Sequence, residues 1–294
     1  MVSTVNRVSR FLLFSKQSNE MKIHKNWMMA AMVAGGLWTT NASAKTICTV
    51  LAEASTGRIV VQDGDCASRV TPASTFKIAI SLMGFDSGIL QDEHTPSWPY
   101  QSGYPAWGGD EWRRPTDPAR WIQYSVVWFS QQVARRLGDV RFQRYTREFQ
   151  YGNCDVSGEP GKHNGTSGAW INSSLRISPL EQVTFLRKLV NRQLNVSERA
   201  YEMTERITLV QASTDGWEIH GKTGTGSPGS DGKYDAEHAY GWFVGWATKG
   251  NQKLVFARLT QDEQATKPNA GLRVRDGFLS ELPALVDHLG QQPS

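Results

Sequence analysis

Two runs near the C-terminus, HAYGWFVGWAT at 238–248 and QKLVFARLT at 252–260, decide how the chain is read. Both are dense in aromatic and β-branched residues with turn residues between them, so they predict neighbouring strands. GWEIHGKT at 216–223 is a third strand. Two more stand at the other end of the chain, TICTVLAEA at 46–54 and RIVVQ at 58–62, with Ser55-Thr56-Gly57 as their turn. Between these groups the patterning is helical. Residues Ser74 to about Phe85 carry apolar side chains nearly all round the axis, which predicts a buried helix ended by Ser87-Gly88. Helical patterning returns at 119–136 and 141–150. Ser178-Pro179-Leu180-Glu181 opens a helix to about Asn191, with Ser as N-cap, Pro at the first position and Glu three residues after the cap. Ser197 caps another, ending near Ile207, and a last helix covers about 272–288. Residues 92–118 and 151–168 read as loops. Strands from both ends and helices from the middle predict a mixed α/β (α+β) fold. Its central antiparallel sheet is built from both termini and flanked by helices, with a helical subdomain inserted. The expected division is 45–73 with 209–294 for the mixed part and 74–208 for the mainly helical part, with a site between them.

The chain has 294 residues, 39% hydrophobic and 20% charged, which excludes a disordered or collagen-like protein. Its formal charge of +4 belongs to the N-terminus. Lys22 and Lys25, the apolar run 27–38 (WMMAAMVAGGLW) and the small-residue site Ala42-Ser43-Ala44 have the order of a secretory signal peptide. The apolar run is too short to span a bilayer. Residues 1–44 are therefore expected to be cleaved, with Met21 as an alternative start. Arg7, Arg10, Lys16, Lys22 and Lys25 against Glu20 leave 27 basic and 27 acidic residues in 45–294. That balance gives no electrostatic case for nucleic acid or for a membrane after cleavage. An exported chain can form disulfides. Cys48 and Cys66 lie at the two ends of the predicted N-terminal hairpin and are paired on that ground. Cys154 is left over, as a small core residue or a reactive thiol.

Two short motifs carry chemistry. Ser74-Thr75-Phe76-Lys77 is an S-x-x-K, which on a helix puts hydroxyl and amine on one face. A serine needs a base to become a nucleophile, and a lysine serves only where burial or chemistry removes its charge. Phe76, Ile78 and Ile80 supply an apolar setting. Lys222-Thr223-Gly224 places a cation and a hydroxyl in line on a predicted strand, suited to a carboxylate, with the Thr225 N–H as an oxyanion donor. Taken singly, an S-x-x-K is more often a helix start with a solvated lysine. Gly216–Thr223 also satisfies G-x-x-x-x-G-K-[ST], but the glycine-rich TGTGSPGSDGK that follows cannot form the helix a phosphate loop requires. Gly224, Gly226 and Gly229 match a dinucleotide fingerprint only as a turn between strands. His94, His163, His220, His238 and His288 show no metal-ligand spacing, so no metal is expected. No G-x-S-x-G occurs.

In order, PASTFK, YSVVWFSQ, YGN, a tryptophan 17 residues later, KTG and GWFVGW resemble the class D, oxacillinase-type β-lactamases of the penicillin-recognising serine enzymes. The resemblance spans about residues 46–290. It implies the fold of that superfamily and hydrolysis of β-lactam antibiotics, conferring resistance from the periplasm. It implies Ser74 as the acylated nucleophile and Lys77 as a lysine carried as its carbamate, formed with carbon dioxide or bicarbonate rather than a bound cofactor. Ser125 would relay a proton to the leaving nitrogen. Trp170 would hold the carbamate through its indole N–H, a group that only donates. Val127 and Ile171 would border the lysine and limit water. Lys222, Thr223, Gly224 and Thr225 would shape the substrate site, with a C-terminal arginine, Arg273 by spacing rather than Arg275, for the carboxylate. The partner implied is a small-molecule β-lactam, and the chain would be a monomer or homodimer. Cys154, directly after Tyr151-Gly152-Asn153, has no role in that resemblance. A cell-wall transpeptidase or carboxypeptidase shares the motifs but deacylates poorly, and a β-lactam sensor acylates once. An exported sugar-binding module rests on aromatic content alone.

Overall fold

Strand β1 (Lys45–Glu53) pairs antiparallel with β2 (Ile59–Gly64) on one side and with the last strand of the chain on the other. The first and last strands of the chain thus meet inside the sheet. The structure, a computed structural model, describes residues 44–210, 216–229, 231 and 233–287. The predicted leader lies outside them apart from Ala44. No helix among the described residues is long and apolar enough to cross a membrane.

A single 3-10 turn, Ala73–Phe76, leads into α1 (Lys77–Asp86), which is buried along almost its whole length. The one helix expected over 119–136 is two, α2 (Pro118–Gln123) and α3 (Val127–Leu137). The break is at Ser125, whose φ of 56° lies in the left-handed region that no L-residue holds within a helix. Asp117 caps α2 by accepting from the Arg120 N–H. Then come α4 (Asp139–Glu148), the single turn α5 (Gly165–Gly168) and α6 (Pro179–Val190). At α6 the Ser178 hydroxyl and the Glu181 carboxylate form a reciprocal capping box. Helix α7 (Glu198–Ile207) starts after Ser197, whose hydroxyl makes no cap bond. Strands β3 (Glu218–Gly226), β4 (Tyr240–Lys249) and β5 (Gln252–Gln261) follow, and α8 (Ala270–Asp287) closes the described chain.

The five strands run in the order β2-β1-β5-β4-β3, every neighbouring pair antiparallel. Both faces are covered, which is why β4 and β5 read as continuous apolar runs instead of alternating ones. On one face Leu51, Ile219, Phe243 and Phe256 pack on Val274, Phe278 and Leu282 of α8. Phe256 and Phe278 stack with centroids 4.3 Å apart. On the other face Val50, Trp242, Val244, Trp246 and Ala257 share one core with α1, α3 and α6. The disulfide joins Cys48 of β1 to Cys66 just past β2, with Cα atoms 5.1 Å apart. Closing a loop of this length is worth about 3 kcal/mol. Helix α1 is therefore wedged between the sheet and the other helices, and its N-terminal end faces β3.

Candidate active site

The turn that carries Ser74 is tightly constrained. Ala73 holds a φ of 48°, and the Thr75 hydroxyl donates to the Pro72 carbonyl at 2.7 Å. Gln182 of α6 donates to Thr75 Oγ1 at 2.9 Å, and Trp242 of β4 donates its indole N–H to the Thr71 carbonyl at 3.0 Å. Ser74 itself is half-buried, so its hydroxyl is reachable, whereas Lys77 is fully buried. Their i, i+3 spacing brings Lys77 Nζ to 2.9 Å from Ser74 Oγ. Burial, and then the nearby charge of Lys222, hold the Lys77 amine well below its ordinary pKa. A neutral amine in contact with a hydroxyl can accept its proton, which an ammonium cannot do.

Strand β3 brings the second motif to this turn. A Cβ on Gly224 would lie 3.0 Å from Thr75 Cγ2 and 3.1 Å from the Pro72 carbonyl oxygen, so a glycine is what lets the strand pass this close. Lys222 is buried, and its Nζ donates to the Thr223 carbonyl at 3.1 Å and to Thr223 Oγ1 at 3.3 Å. Burial, and secondarily the charge of Arg275, push its pKa down to about 7. The strand's edge also has a readable polarity. The Gly221 N–H donates outward to Thr208, and the Ile219 carbonyl accepts from Val210 on the same side. Backbone groups of alternate residues point the same way along a regular ladder. No bulge interrupts 218–226, so the Thr225 N–H points off the free edge, away from β4. Gly216–Thr223, with its phosphate-loop spacing, is mostly strand, and the strand runs on to Gly226, with β4 as the next element among the described residues.

Ser125 occupies the corner between α2 and α3, half-buried, with Val127 buried in the first turn of α3. Trp112 holds this corner by donating its indole N–H to the Tyr124 carbonyl at 2.8 Å, while the Trp128 indole donates to the Trp112 carbonyl at 2.7 Å. Trp170 is fully buried against Phe76 and Phe142, with centroids 5.8 and 6.0 Å away. Its Nε1 has no hydrogen-bond partner among the described residues. An indole N–H can only donate, and burying it without an acceptor costs about 1–3 kcal/mol. Ile171 beside it is partly buried against the same core.

Arg273 is engaged elsewhere. Its guanidinium pairs with the buried Asp262 carboxylate and donates to the Thr266 and Pro268 carbonyls. Arg275, whose charge reaches Lys222, pairs with its neighbour Asp276 at 2.8 Å. Spacing along the chain favours Arg273 for the substrate carboxylate, but the fold pairs it with Asp262 instead. Burial pushes the half-buried Cys154 thiol above its ordinary pKa, the opposite of an activated thiolate. Thr71, Trp112, Asn172 and Gln182, which fix the site, carried no sequence signal that set them apart from ordinary loop and helix residues.

The penicillin-binding protein transpeptidase domain family matches residues 47–282. The chain is 44% identical to the β-lactamase OXA-9 of Klebsiella pneumoniae over 81% of its own length and 88% of that protein. It is 31% identical to the β-lactamase OXA-1 of Escherichia coli, covering 90% of this chain and 98% of that one. The crystal structure of the OXA-427 class D β-lactamase superposes with a TM-score of 0.77 at 46% identity, covering 84% of this chain and all of the other. With the motifs in order along the chain, Ser74 and Lys77 in contact and β3 against their turn, the chain belongs to the class D serine β-lactamases, within the penicillin-binding transpeptidase family.

Proposed function

We propose that this enzyme hydrolyses penicillins and related β-lactams through an acyl-enzyme on Ser74, with Lys77 carried as its carbamate. The observation that carries this reading is the contact between a fully buried lysine amine and the Ser74 hydroxyl, 2.9 Å apart. The residues fit the carbamate. Lys77 is depressed toward the neutral amine, the form that attacks carbon dioxide. A carbon–nitrogen bond forms, one carbonyl electron pair moves to oxygen and the nitrogen loses a proton to solvent. The unpartnered Trp170 indole N–H is then a donor suited to the new anion. Val127 and Ile171 limit water around it. The carbamate supplies an anionic base of carboxylate strength for both half-reactions.

Ser74 attacks the lactam carbonyl while Lys77 takes its proton. The backbone N–H groups of Ser74 and Thr225 receive the oxyanion, the latter from the free edge of β3. Ser125 passes a proton to the departing lactam nitrogen. Lys222 and Thr223 bind the substrate carboxylate, joined by Arg273 if it leaves Asp262, and Gly224 keeps β3 against the turn of Ser74. Water then attacks the ester, again with Lys77 as base, and Ser74 is regenerated. Cleavage of the expected leader would release the enzyme into the periplasm, where resistance to β-lactams would be exerted.

Nitrocefin hydrolysis by the purified protein, with and without added bicarbonate, tests the reading. Sustained turnover that rises with bicarbonate is expected. A single stoichiometric burst would assign the chain to acylation without water activation, as in a transpeptidase or sensor. No reaction by folded protein would remove Ser74 from the mechanism.

The Lys222 charge gives a second expectation. With its pKa near 7, the cation is present at lower pH and lost as pH rises through that value. KM for an anionic β-lactam should therefore rise by about three- to tenfold between pH 6.5 and 8.5. Lys222→Arg, which cannot lose its charge in this range, should flatten that profile. A KM independent of pH in the unsubstituted enzyme would show that the Lys222 charge is not used.

A further inference from the structure

Asn172 lies two residues after Trp170 and is buried at 3% exposure. Its φ is 47°, the left-handed conformation that asparagine tolerates better than most residues. Its backbone N–H and both polar atoms of its side chain are engaged. The backbone N–H donates to Thr71 Oγ1 at 3.1 Å. Nδ2 donates to Ser227 Oγ at 2.9 Å and to the Lys233 carbonyl at 3.0 Å, and Oδ1 accepts from the Ser227 N–H at 3.0 Å. Thr71 continues the chain of contacts, its hydroxyl donating to the Trp170 carbonyl at 3.0 Å. Ser227 continues it on the other side, accepting from the Asp235 N–H at 3.0 Å.

These bonds tie three segments that are remote in sequence. Thr71 begins the turn that presents Ser74. Residues 170–172 carry the indole. Ser227 directly follows the strand that carries Lys222 and Thr223. The packing leaves no slack, since a Cβ on Gly226 would lie 2.5 Å from Thr71 Cγ2 and 3.1 Å from Asn172 Oδ1. Asn172 makes no hydrogen bond to Ser74 or Lys77 among the described residues, yet it joins the segments before the Ser74 turn and after β3 to its own.

We infer that Asn172 is a positioning residue for this reaction: its buried clasp to Thr71 and Ser227 holds the Trp170 indole where it stabilises the carbamate on Lys77. The inference rests on the proposed carbamate. The functional consequence is specific. Loosening the clasp lets the indole drift, so the carbamate reverts to amine and carbon dioxide more readily. Chemistry on enzyme that still holds the carbamate is little changed. Outer-shell partners of a bound group, best measured at metal sites, contribute about 10–100-fold in affinity.

The test compares the unsubstituted protein with Asn172→Gly, which removes the side chain but keeps the left-handed backbone without strain. Titration with 13C-labelled bicarbonate, following the carbamate resonance of Lys77, should show half-occupancy shifted upward by about tenfold in the variant. Turnover by the variant should decay during assay without bicarbonate, and its kcat should return close to that of the unsubstituted enzyme at saturating bicarbonate. An unchanged titration curve, or a loss of kcat that saturating bicarbonate does not restore, would overturn the inference. Should Asn172→Gly fail to fold, Ser227→Ala removes one clasp partner and is read the same way. Absence of the resonance from the unsubstituted protein would instead bring down the Lys77 reading, and the two failures are told apart by that control.

Discussion

Lys77→Ala is expected to lower kcat for nitrocefin by about a thousandfold or more while the protein remains folded. General bases contribute about 10²–10⁴-fold per proton-transfer step, and here one residue is asked to serve two steps in sequence. The substitution removes the amine that contacts Ser74 at 2.9 Å and with it the only site for the carbamate in the proposed mechanism. Acylation and deacylation should both slow, and added bicarbonate should restore neither. Loss of the buried amine also relieves the cost of its desolvation, which offsets part of the cavity left behind. Circular dichroism and thermal melting are therefore expected to report a native fold. Stopped-flow acylation separates the two half-reactions. Acylation at the unsubstituted rate with only deacylation lost would mean that a different group activates Ser74.

Trp170→Phe should split the half-reactions that Lys77→Ala affects together. Phenylalanine keeps an aromatic ring against Phe76 and Phe142 but removes the indole N–H, which has no acceptor among the described residues and which the proposed mechanism gives to the carbamate. Without that donor the carbamate is less stable, and Lys77 reverts to a neutral amine still in contact with Ser74. That amine can take the serine proton for attack on a strained lactam. Deacylation is more demanding, because water must be activated against an unstrained ester. The expected result is a burst followed by a steady state slower by about a hundredfold, partly restored by bicarbonate. Trp170→Ala should show the same split with a larger loss of stability, because a fully buried side chain of this size leaves a cavity costing about 3–5 kcal/mol. Equal loss of both half-reactions would remove the assigned role.

The parts of this protein legible in its sequence are those governed by local rules. Strand runs of Trp, Phe, Val and Leu at 240–261 predict themselves, and the Ser178–Glu181 box fixes the start of α6 within a residue. The Cys48–Cys66 pair follows from hairpin geometry, since the register sets Cys48 against Gly64, two residues from Cys66. What was not legible depends on contacts between distant segments. Apolar periodicity runs straight through Tyr124-Ser125-Val126 with no Gly or Pro, so the helix break at Ser125 has no local signal. It is held by Trp112 and Trp128 from outside. Spacing points to Arg273, yet its geometry is set by Asp262 just past β5. Asn172 reads as one more loop residue, and only the fold brings Thr71 and Ser227 to it.

The most direct test of the central claim is intact-protein mass spectrometry during turnover of a slowly hydrolysed penicillin, followed by peptide mapping. The account predicts one adduct of the full substrate mass, mapped to Ser74, accumulating further in Trp170→Phe and absent from Ser74→Ala, which should not hydrolyse the substrate. An adduct on another residue, or hydrolysis that survives Ser74→Ala, would contradict it.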